Sequence, residues 1–259
     1  MSGAMVRGLL QRKVFTAEQI ACTGADDGTA ETLARETGVT ACHDPENLLD
    51  GVSIAVAAFK PQQLADLDPR LAELTREKLL LSILAGSRIE TLAGKFPHAR
   101  NIVRVMPNSP GQIGAGISGF CFQHPPAAED RGMVEAILGS LGEAVELPES
   151  QLDAVTAVSG SGPAYVFEFI AALRDGGVAA GLDRAVAARL AVATVTGAAR
   201  LLAESGMEPE TLRDQVSSPG GTTLAGLQVM REAKFPDILK NTVLAAERRS
   251  RELSGVKPS

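Results

Sequence analysis

The stretch "GVSIAVAAF" at residues 51–59 decides the fold class of this chain. It is an almost continuous apolar run of strand length, which is typical of a β-strand buried on both faces of a sheet. "KLLLSILAG" (78–86) and "NIVRVMPN" (101–108) repeat the pattern, and the helical stretch "SRIETLAGKF" (87–96) lies between them. Strands that alternate with helices predict βαβ units and a parallel sheet.

The same alternation extends over residues 1–148. The other elements predicted there are strands at 19–24 and 143–148, helices at 29–38 and 127–142, and a short helix that begins at Pro61. The strand pattern stops after Glu149. Helices follow at 183–206, 209–216 and 235–253, and the first of them is bounded by Asp183 as N-cap and Gly206 as C-cap. We therefore predict an α/β domain over 1–148 and an all-α domain over 149–259.

Composition argues against several classes of function. The net charge is −6 and no long basic run occurs, which makes nucleic acid an unlikely partner. Cys22, Cys42 and Cys121 lie far apart, and the three histidines lack metal-ligand spacing, so neither a disulfide framework nor a metal site is predicted. The most apolar region, 154–173, is too interrupted for a membrane span, and no secretory leader is recognisable. These features favour a cytoplasmic protein.

Two stretches in the helical half could carry chemistry, and each has a structural alternative. In "VSSPGGTTLAGL" (216–227), glycines precede a helix that starts at Thr222 or Thr223, and free N–H groups at a helix start favour a carboxylate. A plain helix–helix turn with a Thr cap explains the same spacing equally well. In "VSGSGPAYVFEF" (158–169), close helix packing is favoured over ligand contact.

Two further stretches leave predicted strands at their carboxyl ends, where ligands bind in open α/β sheets. These are "VRVMPNSPGQIGAG" (103–116) and "AAFKP" (57–61). Lys60 is either a surface lysine or a ligand contact, and the surface alternative is favoured on the residue alone.

At these stretches the chain resembles the pyrroline-5-carboxylate reductase family. The segments that match are "DAVTAVSGSGPAYVFEFI" (153–170), "VSSPGGTTLAGL", "VRVMPNSPGQIGAG" and "AAFKPQ" (57–62), and the resemblance covers nearly the whole chain. It implies an N-terminal Rossmann domain that binds NADPH or NADH, followed by a helical dimerisation and substrate domain that forms a homodimer or higher homo-oligomer. The implied reaction is reduction of 1-pyrroline-5-carboxylate to L-proline.

The resemblance also implies site residues. The backbone of Gly220, Gly221 and Thr222 would hold the substrate carboxylate, and Thr223 would bind the substrate as the catalytic residue, through a hydrogen bond to the ring nitrogen. The residues implied along the cofactor are Ala58, Phe59, Lys60, Pro61 and Asn108. A protonated imine needs no strong protein acid, so the lack of a charged catalytic cluster agrees with this reaction, in which the enzyme mainly orients two reactants and excludes water.

The beginning of the chain departs from the resemblance. A Rossmann domain opens with a strand and a G-x-G-x-x-G turn, whereas Met1 opens directly on "MSGAMVRGLL", whose apolar residues have helical spacing. We therefore expect the chain to lack about ten residues, one short strand and its turn. The second strand of the fold ends at "TGADDG" (23–28), where Asp26 or Asp27 suits a ribose hydroxyl and so favours NADH. Asp44 is followed by Pro45, where the family often has Asn.

Two other functions stay open. One is a related Rossmann reductase that acts on another imine or on a β-hydroxy acid. The other is a non-catalytic dimerising homologue, truncated in its first domain. Dinucleotide binding distinguishes an enzyme from such a scaffold.

Overall fold

A computed structural model of the chain describes residues 1–25 and 27–255, and these fall into two compact units. The first unit contains Met1–Ser161 together with the end of the chain from Ala246, and the second contains Gly162–Ala245. The first compact unit thus runs beyond residue 148. The boundary between functional domains at 148/149 stays a prediction.

The strands lie in the first unit. β1 and β2 pair in parallel as a separate two-stranded sheet, and the other strands form a second sheet in the order β3-β4-β5-β6-β7. The bounds are β1 Ala21–Cys22, β2 Thr40–Ala41, β3 Ile54–Ala57, β4 Leu79–Ser82, β5 Asn101–Met106, β6 Gly116–Phe122 and β7 Gly142–Glu146.

The predicted parallel sheet is confirmed for β3, β4 and β5 and is wrong for the predicted strand at 143–148. That strand, β7, is parallel to β6, and β6 runs antiparallel to β5. The predicted Pro- and Gly-rich loop ends at Gly116, and the sequence analysis assigns no element to the rest of β6. The short 3-10 turn Ser109–Ile113 returns the chain directly beside β5. Such a short connection suits antiparallel pairing, because a parallel partner needs a crossover of a dozen or more residues.

Burial of β3 on both faces is also a wrong prediction. β4 lies between two strands and is buried throughout, whereas β3 pairs with β4 alone and its Val56 is 39% exposed. The apolar run of β3 therefore forms one edge of the larger sheet in this structure, with no strand on its outer side among the described residues.

Helices cover both faces of the larger sheet. Successive side chains of a strand point to opposite faces, so each buried strand contributes to two apolar clusters. Met5 and Leu9 of the first helix pack with Leu81 of β4, while Leu80 faces a second cluster that contains Leu92. The helices of the first unit are α1 Ser2–Gln11, α2 Thr29–Thr37, α3 Pro45–Leu49, α4 Arg70–Leu74, α5 Ile89–Lys95, α6 Ala128–Gly139 and α7 Leu152–Val155, with 3-10 turns at Ala17–Gln19, Pro61–Leu64, Ser109–Ile113 and Glu149–Gln151 and a π-helical segment at Thr156–Gly160.

The second unit is helical, as the sequence predicts. Its helices are α8 Gly162–Ala179, α9 Arg184–Ser205, α10 Pro209–Gln215, α11 Thr222–Glu232 and α12 Phe235–Leu253, of which the part from Ala246 belongs to the first unit. The predicted ends of α9 are confirmed, because the Asp183 carboxylate accepts the N–H of Ala185 over 2.8 Å and Gly206 has a φ of +63°.

Large apolar side chains of α8 and α9 are exposed, among them Phe167, Leu190 and Leu201. By length and composition alone, α9 is the one helix in the described part of the chain that could cross a membrane. An exposed apolar surface of this extent is typical of a face that another molecule covers.

Candidate active site

The carboxyl ends of β3, β4 and β5 meet at one edge of the larger sheet, because these strands are parallel. Residues 58–61 follow β3 there, and Asn108 follows β5. Neighbouring strands lie about 4.8 Å apart, so the ends of β3 and β5 are separated by about 10 Å. All the residues predicted along the cofactor therefore lie at one edge of the sheet, and they are Ala58, Phe59, Lys60, Pro61 and Asn108. In open α/β sheets this is the edge where ligands bind.

Lys60 is held at the beginning of a 3-10 turn. Its backbone N–H donates to Oε1 of Gln63 over 2.9 Å, and Pro61 is the first residue of the turn. The side chain is exposed, and its positive charge contributes to a lowered pKa of Asp27 in the loop after β1. The ends of β1 and β3 therefore lie within electrostatic range of each other.

Asn108 is buried and connects three parts of the first unit. Its Oδ1 accepts the backbone N–H of Ile117 in β6 over 3.0 Å, and its Nδ2 donates to the carbonyl of Ser159 over 3.2 Å. Both ends of the amide are thus engaged within the fold. The side chain fixes the π-helical segment and the start of β6 at the carboxyl end of β5.

The π-helical segment packs closely against that strand end. The N–H of Ser161 donates to the carbonyl of Thr156 over 2.8 Å, and a Cβ on Gly160 would lie 2.5 Å from Cε of Met106. A larger residue at position 160 would therefore require the flexible end of Met106 to move. Single π turns of this kind are often found at functional sites, and the sequence pattern does not predict this one.

In the second unit, the turn between α10 and α11 depends on two glycines for different reasons. Gly220 has a φ of +73°, and a Cβ on Gly221 would lie 2.5 Å from Oγ of Ser218. Gly221 is the N-cap of α11, whose first residues are the exposed Thr222 and Thr223, and no acidic residue lies in the first turn. The predicted helix start is confirmed, and the four predicted substrate residues share one turn. The N–H of Gly221 donates to the carbonyl of Ser218 over 3.0 Å. The N–H groups of the first helical turn have no intrahelical acceptor, and such groups favour an anion.

The loop after β1 carries the predicted ribose contact. Asp26 lies outside the described residues. Oδ1 of Asp27 accepts the N–H and the hydroxyl of Thr29 over 3.1 and 2.6 Å. Hydrogen bonds from the side chain and then the backbone of Thr29 lower the pKa of Asp27, so its carboxyl group is ionised at neutral pH.

The first unit contains a buried polar network that the sequence pattern does not predict. Arg104 of β5 donates to Oε1 of Glu149 over 3.0 Å and lies 4.0 Å from Oδ1 of Asp153, which in turn accepts the hydroxyl of Ser250 over 2.7 Å. Glu149 also accepts the N–H of Ile89 at the start of α5. The one residue in the sequence that could have indicated this network is Arg104, because a charged residue inside a buried strand requires partners.

These residues fit the two ends of a dinucleotide. The loops after β3 and β5 present backbone groups and an exposed ammonium at the carboxyl edge, and Asp27 presents a carboxylate that can accept a hydroxyl proton. The described residues contain no strand before α1, and with it no strand–Gly-x-Gly–helix turn for a pyrophosphate.

The family matches divide the chain into an oxidoreductase part and a dimerisation part. Residues 1–86 match the family described as NADP oxidoreductase, coenzyme F420-dependent, and residues 149–253 match pyrroline-5-carboxylate reductase dimerisation. The fold and the site thus define a nicotinamide-dependent oxidoreductase with a helical dimerisation domain. A pyrroline-5-carboxylate reductase of Synechocystis is 38% identical over 254 residues, which are 98% of this chain and 94% of that protein. The chain belongs to the pyrroline-5-carboxylate reductase family.

Solved structures confirm the fold. The pyrroline-5-carboxylate reductase of Coxiella burnetii superimposes with a TM-score of 0.91 at 28% identity, covering 98% of this chain and 94% of that one. The pyrroline carboxylate reductase of Plasmodium falciparum, solved with NADP bound, gives 0.86 at 30% identity, covering 97% and 93%.

Proposed function

We propose that this protein reduces the C=N bond of 1-pyrroline-5-carboxylate to give L-proline, the last step of proline biosynthesis, with NADPH or NADH as the reductant. The observation that carries the proposal is the turn at the start of α11. It presents the first backbone N–H groups of a helix, beginning at Thr222, and two exposed hydroxyls, with no carboxylate in the first turn. The substrate offers a carboxylate and a ring nitrogen only a few bonds apart, which suits that pair of binding functions.

Each residue of the turn has a proposed role. The backbone of Gly220, Gly221 and Thr222 holds the substrate carboxylate, which the N-terminal dipole of α11 also favours. Oγ1 of Thr223 accepts the N–H of the protonated imine and thereby orients the ring. Since the nitrogen already carries its proton, the chain need not provide a strong acid, and its contribution is orientation and exclusion of water.

The coenzyme is proposed to lie along the carboxyl edge of the larger sheet. Ala58, Phe59, Lys60, Pro61 and Asn108 hold it there. When bound, NADPH or NADH supplies the hydride that reduces the imine carbon. Lys60 offers its ammonium to an anionic part of the ligand, and Asn108 acts chiefly by fixing the backbone at the end of β5.

We also propose that the second unit forms a homodimer. The match to a dimerisation family spans α7–α12, and Phe167, Leu190 and Leu201 are exposed on two of these helices, α8 and α9. Burial against a second copy would remove this surface from water at about 25 cal/mol per Å². The same contact accounts for the apolar character of α9. Cys22, Cys42 and Cys121 are free thiols, which suits a cytoplasmic location.

The experiment that tests the proposed function combines three measurements on the purified chain. These are oxidation of NADPH and NADH with 1-pyrroline-5-carboxylate, formation of proline, and oligomeric state. We expect one proline for each coenzyme oxidised. Dimers that bind coenzyme but turn over only another imine or a β-hydroxy acid would indicate the related reductase. Dimers that bind neither coenzyme would indicate a non-catalytic homologue.

A further inference from the structure

We propose that Asp27 makes this protein select NADH over NADPH, by excluding a phosphate from the 2′ position of the adenosine ribose. The inference rests on the proposed function, because the ligand is the coenzyme of that reaction. It differs from the coenzyme in the names of the comparisons, since residues 1–86 match a family described as NADP oxidoreductase and the Plasmodium falciparum relative was solved with NADP bound.

The position of Asp27 in the fold makes it the residue that meets the ribose. It lies in the loop between β1 and α2, at the carboxyl end of a parallel strand. In dinucleotide-binding sheets an acidic residue in this region accepts a hydrogen bond from the ribose 2′-hydroxyl, whereas an arginine there accommodates a 2′-phosphate. The described part of this loop holds no arginine or lysine.

The Asp27 carboxylate is fixed and charged. Its Oδ1 is held by both the N–H and the hydroxyl of Thr29, the first residue of α2. These two hydrogen bonds lower the pKa of the group, so that it stays ionised across the neutral range. Its Oδ2 accepts no hydrogen bond from the residues that the structure describes, and it is therefore free to accept one from a hydroxyl.

A second carboxylate, that of Glu31, follows Asp27 along the chain. Glu31 lies in the first turn of α2, and its Oε2 is buried without a donor among the described residues. Its Oε1 lies 3.6 Å from Nε2 of His43, which follows β2. Lys60 is the cation that acts on Asp27, and its exposed side chain is not fixed by an ion pair with the described residues.

The charges decide between the two coenzymes. A phosphate monoester brings a charge of about −1.5 to −2 at neutral pH, whereas a ribose hydroxyl is neutral and can donate to Oδ2. The Asp27 carboxylate, which Thr29 holds in place, therefore favours the hydroxyl over the phosphate. Like charges about 4–5 Å apart near a protein surface repel strongly enough to weaken binding by about tenfold or more.

Direct binding tests the inference without turnover. The dissociation constants of NADH and NADPH, and of 5′-ADP and 2′,5′-ADP as probes of the adenosine half, are measured by calorimetry. At low salt we expect NADH to bind at least about tenfold more tightly than NADPH, and 5′-ADP at least about tenfold more tightly than 2′,5′-ADP. Asp27→Asn keeps Oδ1 as the acceptor for Thr29 and removes the charge, so it should bring the ratio close to one. Added salt should reduce the wild-type ratio by screening.

Asp183→Asn is the matched control. Asp183 accepts backbone N–H groups at the start of α9 in the same way, and it lies in the other unit. This variant should keep the wild-type ratio. If Asp27→Asn fails to fold, Asp27→Ser takes its place, with the serine hydroxyl as the acceptor.

Three outcomes are separable. The inference is overturned if the wild type binds NADH and NADPH equally, or if the Asp27 variant keeps the wild-type ratio of affinities. In either case the proposed function stands if proline is still formed. If the folded wild type binds none of NADH, NADPH, 5′-ADP and 2′,5′-ADP, the proposed function is contradicted as well. A tenfold preference that disappears in Asp27→Asn and persists in Asp183→Asn supports the assignment.

Discussion

The hydroxyl of Ser250 donates a hydrogen bond to the carboxylate of Asp153 over 2.7 Å, and both side chains are buried. Asp153 lies 4.0 Å from the guanidinium of Arg104, which is paired with Glu149. The end of α12 is thereby linked to the central part of the larger sheet through charged groups. Buried charges are tolerated only when each has partners, so every member of this network depends on the others.

Ser250→Ala should lower the free energy of unfolding by about 1–3 kcal/mol, because it leaves a buried carboxylate oxygen without its donor. Urea denaturation at fixed protein concentration measures the change. Ser254→Ala is the control, since its hydroxyl bonds only the nearby carbonyl of Arg251, and we expect a change within about 0.5 kcal/mol. Equal stability of the two variants would contradict the role of the Ser250 contact.

Asn108→Ala should destabilise the protein by about 2–4 kcal/mol, because the N–H of Ile117 and the carbonyl of Ser159 both lose a buried partner. Asn108→Asp should cost at least as much, since its Oδ1 still accepts from Ile117 but its second oxygen would face the carbonyl of Ser159 as a buried charge without a donor. Thermal and urea unfolding give the comparison, with the exposed Asn241→Ala as control. A variant at Asn108 with wild-type stability and no NADH binding would mean that the amide acts on the coenzyme rather than on the fold.

Local signals in the sequence predict most of the helices and the buried strands. Gly38, Asp183 and Gly206 end or begin helices where the pattern places them, because capping depends only on residues within a few positions. The partner of a strand is a non-local property. For that reason the sequence identifies the apolar run of β3 but not its place at an edge, and it does not reveal that β6 pairs antiparallel.

The candidate site shows the same division. Gly220 and Thr223 belong to one short segment, so their shared turn can be predicted from the sequence. Asp153 and Ser250 are 97 positions apart, and the field of Lys60 at Asp27 acts between loops of different strands. Such long-range contacts depend on how the strands are ordered in the sheet, which periodicity does not encode.

Gly220→Ala should raise the KM for 1-pyrroline-5-carboxylate by about tenfold, since an alanine at a φ of +73° costs roughly 1–2 kcal/mol and displaces the N–H groups of α11. The Kd for NADH should not change. Initial-rate kinetics and coenzyme titration separate the two effects. Gly132→Ala, in an open position on α6, should be neutral or stabilising by about 0.5–1 kcal/mol. A wild-type KM in the Gly220 variant would argue against substrate binding by this turn.

Ionisation of the Cys121 thiol should lower the free energy of unfolding at alkaline pH relative to neutral pH. Burial raises the pKa of its thiol to about 11, from 9.0 in an exposed cysteine. Between these values the unfolded chain loses the thiol proton while the folded chain keeps it. The free energy of unfolding therefore falls as pH rises through this window, by about 3 kcal/mol in all.

Urea denaturation at several pH values from neutral to 11 measures this slope. Cys121→Ala lacks the thiol and should show a shallower fall, whatever its stability at neutral pH. Identical slopes in the two proteins would mean that the thiol is accessible to solvent in the folded state.

Thr223→Val should lower kcat/KM for 1-pyrroline-5-carboxylate by about 10- to 100-fold, because valine keeps the branched shape of threonine and removes the hydroxyl proposed to contact the ring nitrogen. The Kd for NADH and the oligomeric state should stay unchanged. Thr223→Ser restores a hydroxyl and should recover most of the activity. Thr242→Val is the control, since that hydroxyl bonds a carbonyl within its own helix, and we expect it to keep wild-type kinetics.

The division between kcat and KM identifies what Thr223 does. A hydroxyl that only helps to hold the substrate affects KM, whereas one that orients the ring nitrogen for reduction lowers kcat. We expect the fall in Thr223→Val to lie mainly in kcat, because the carboxylate keeps its backbone donors at the start of α11. Normal turnover in Thr223→Val would remove Thr223 from the mechanism and leave the substrate to be oriented by backbone groups of the same turn.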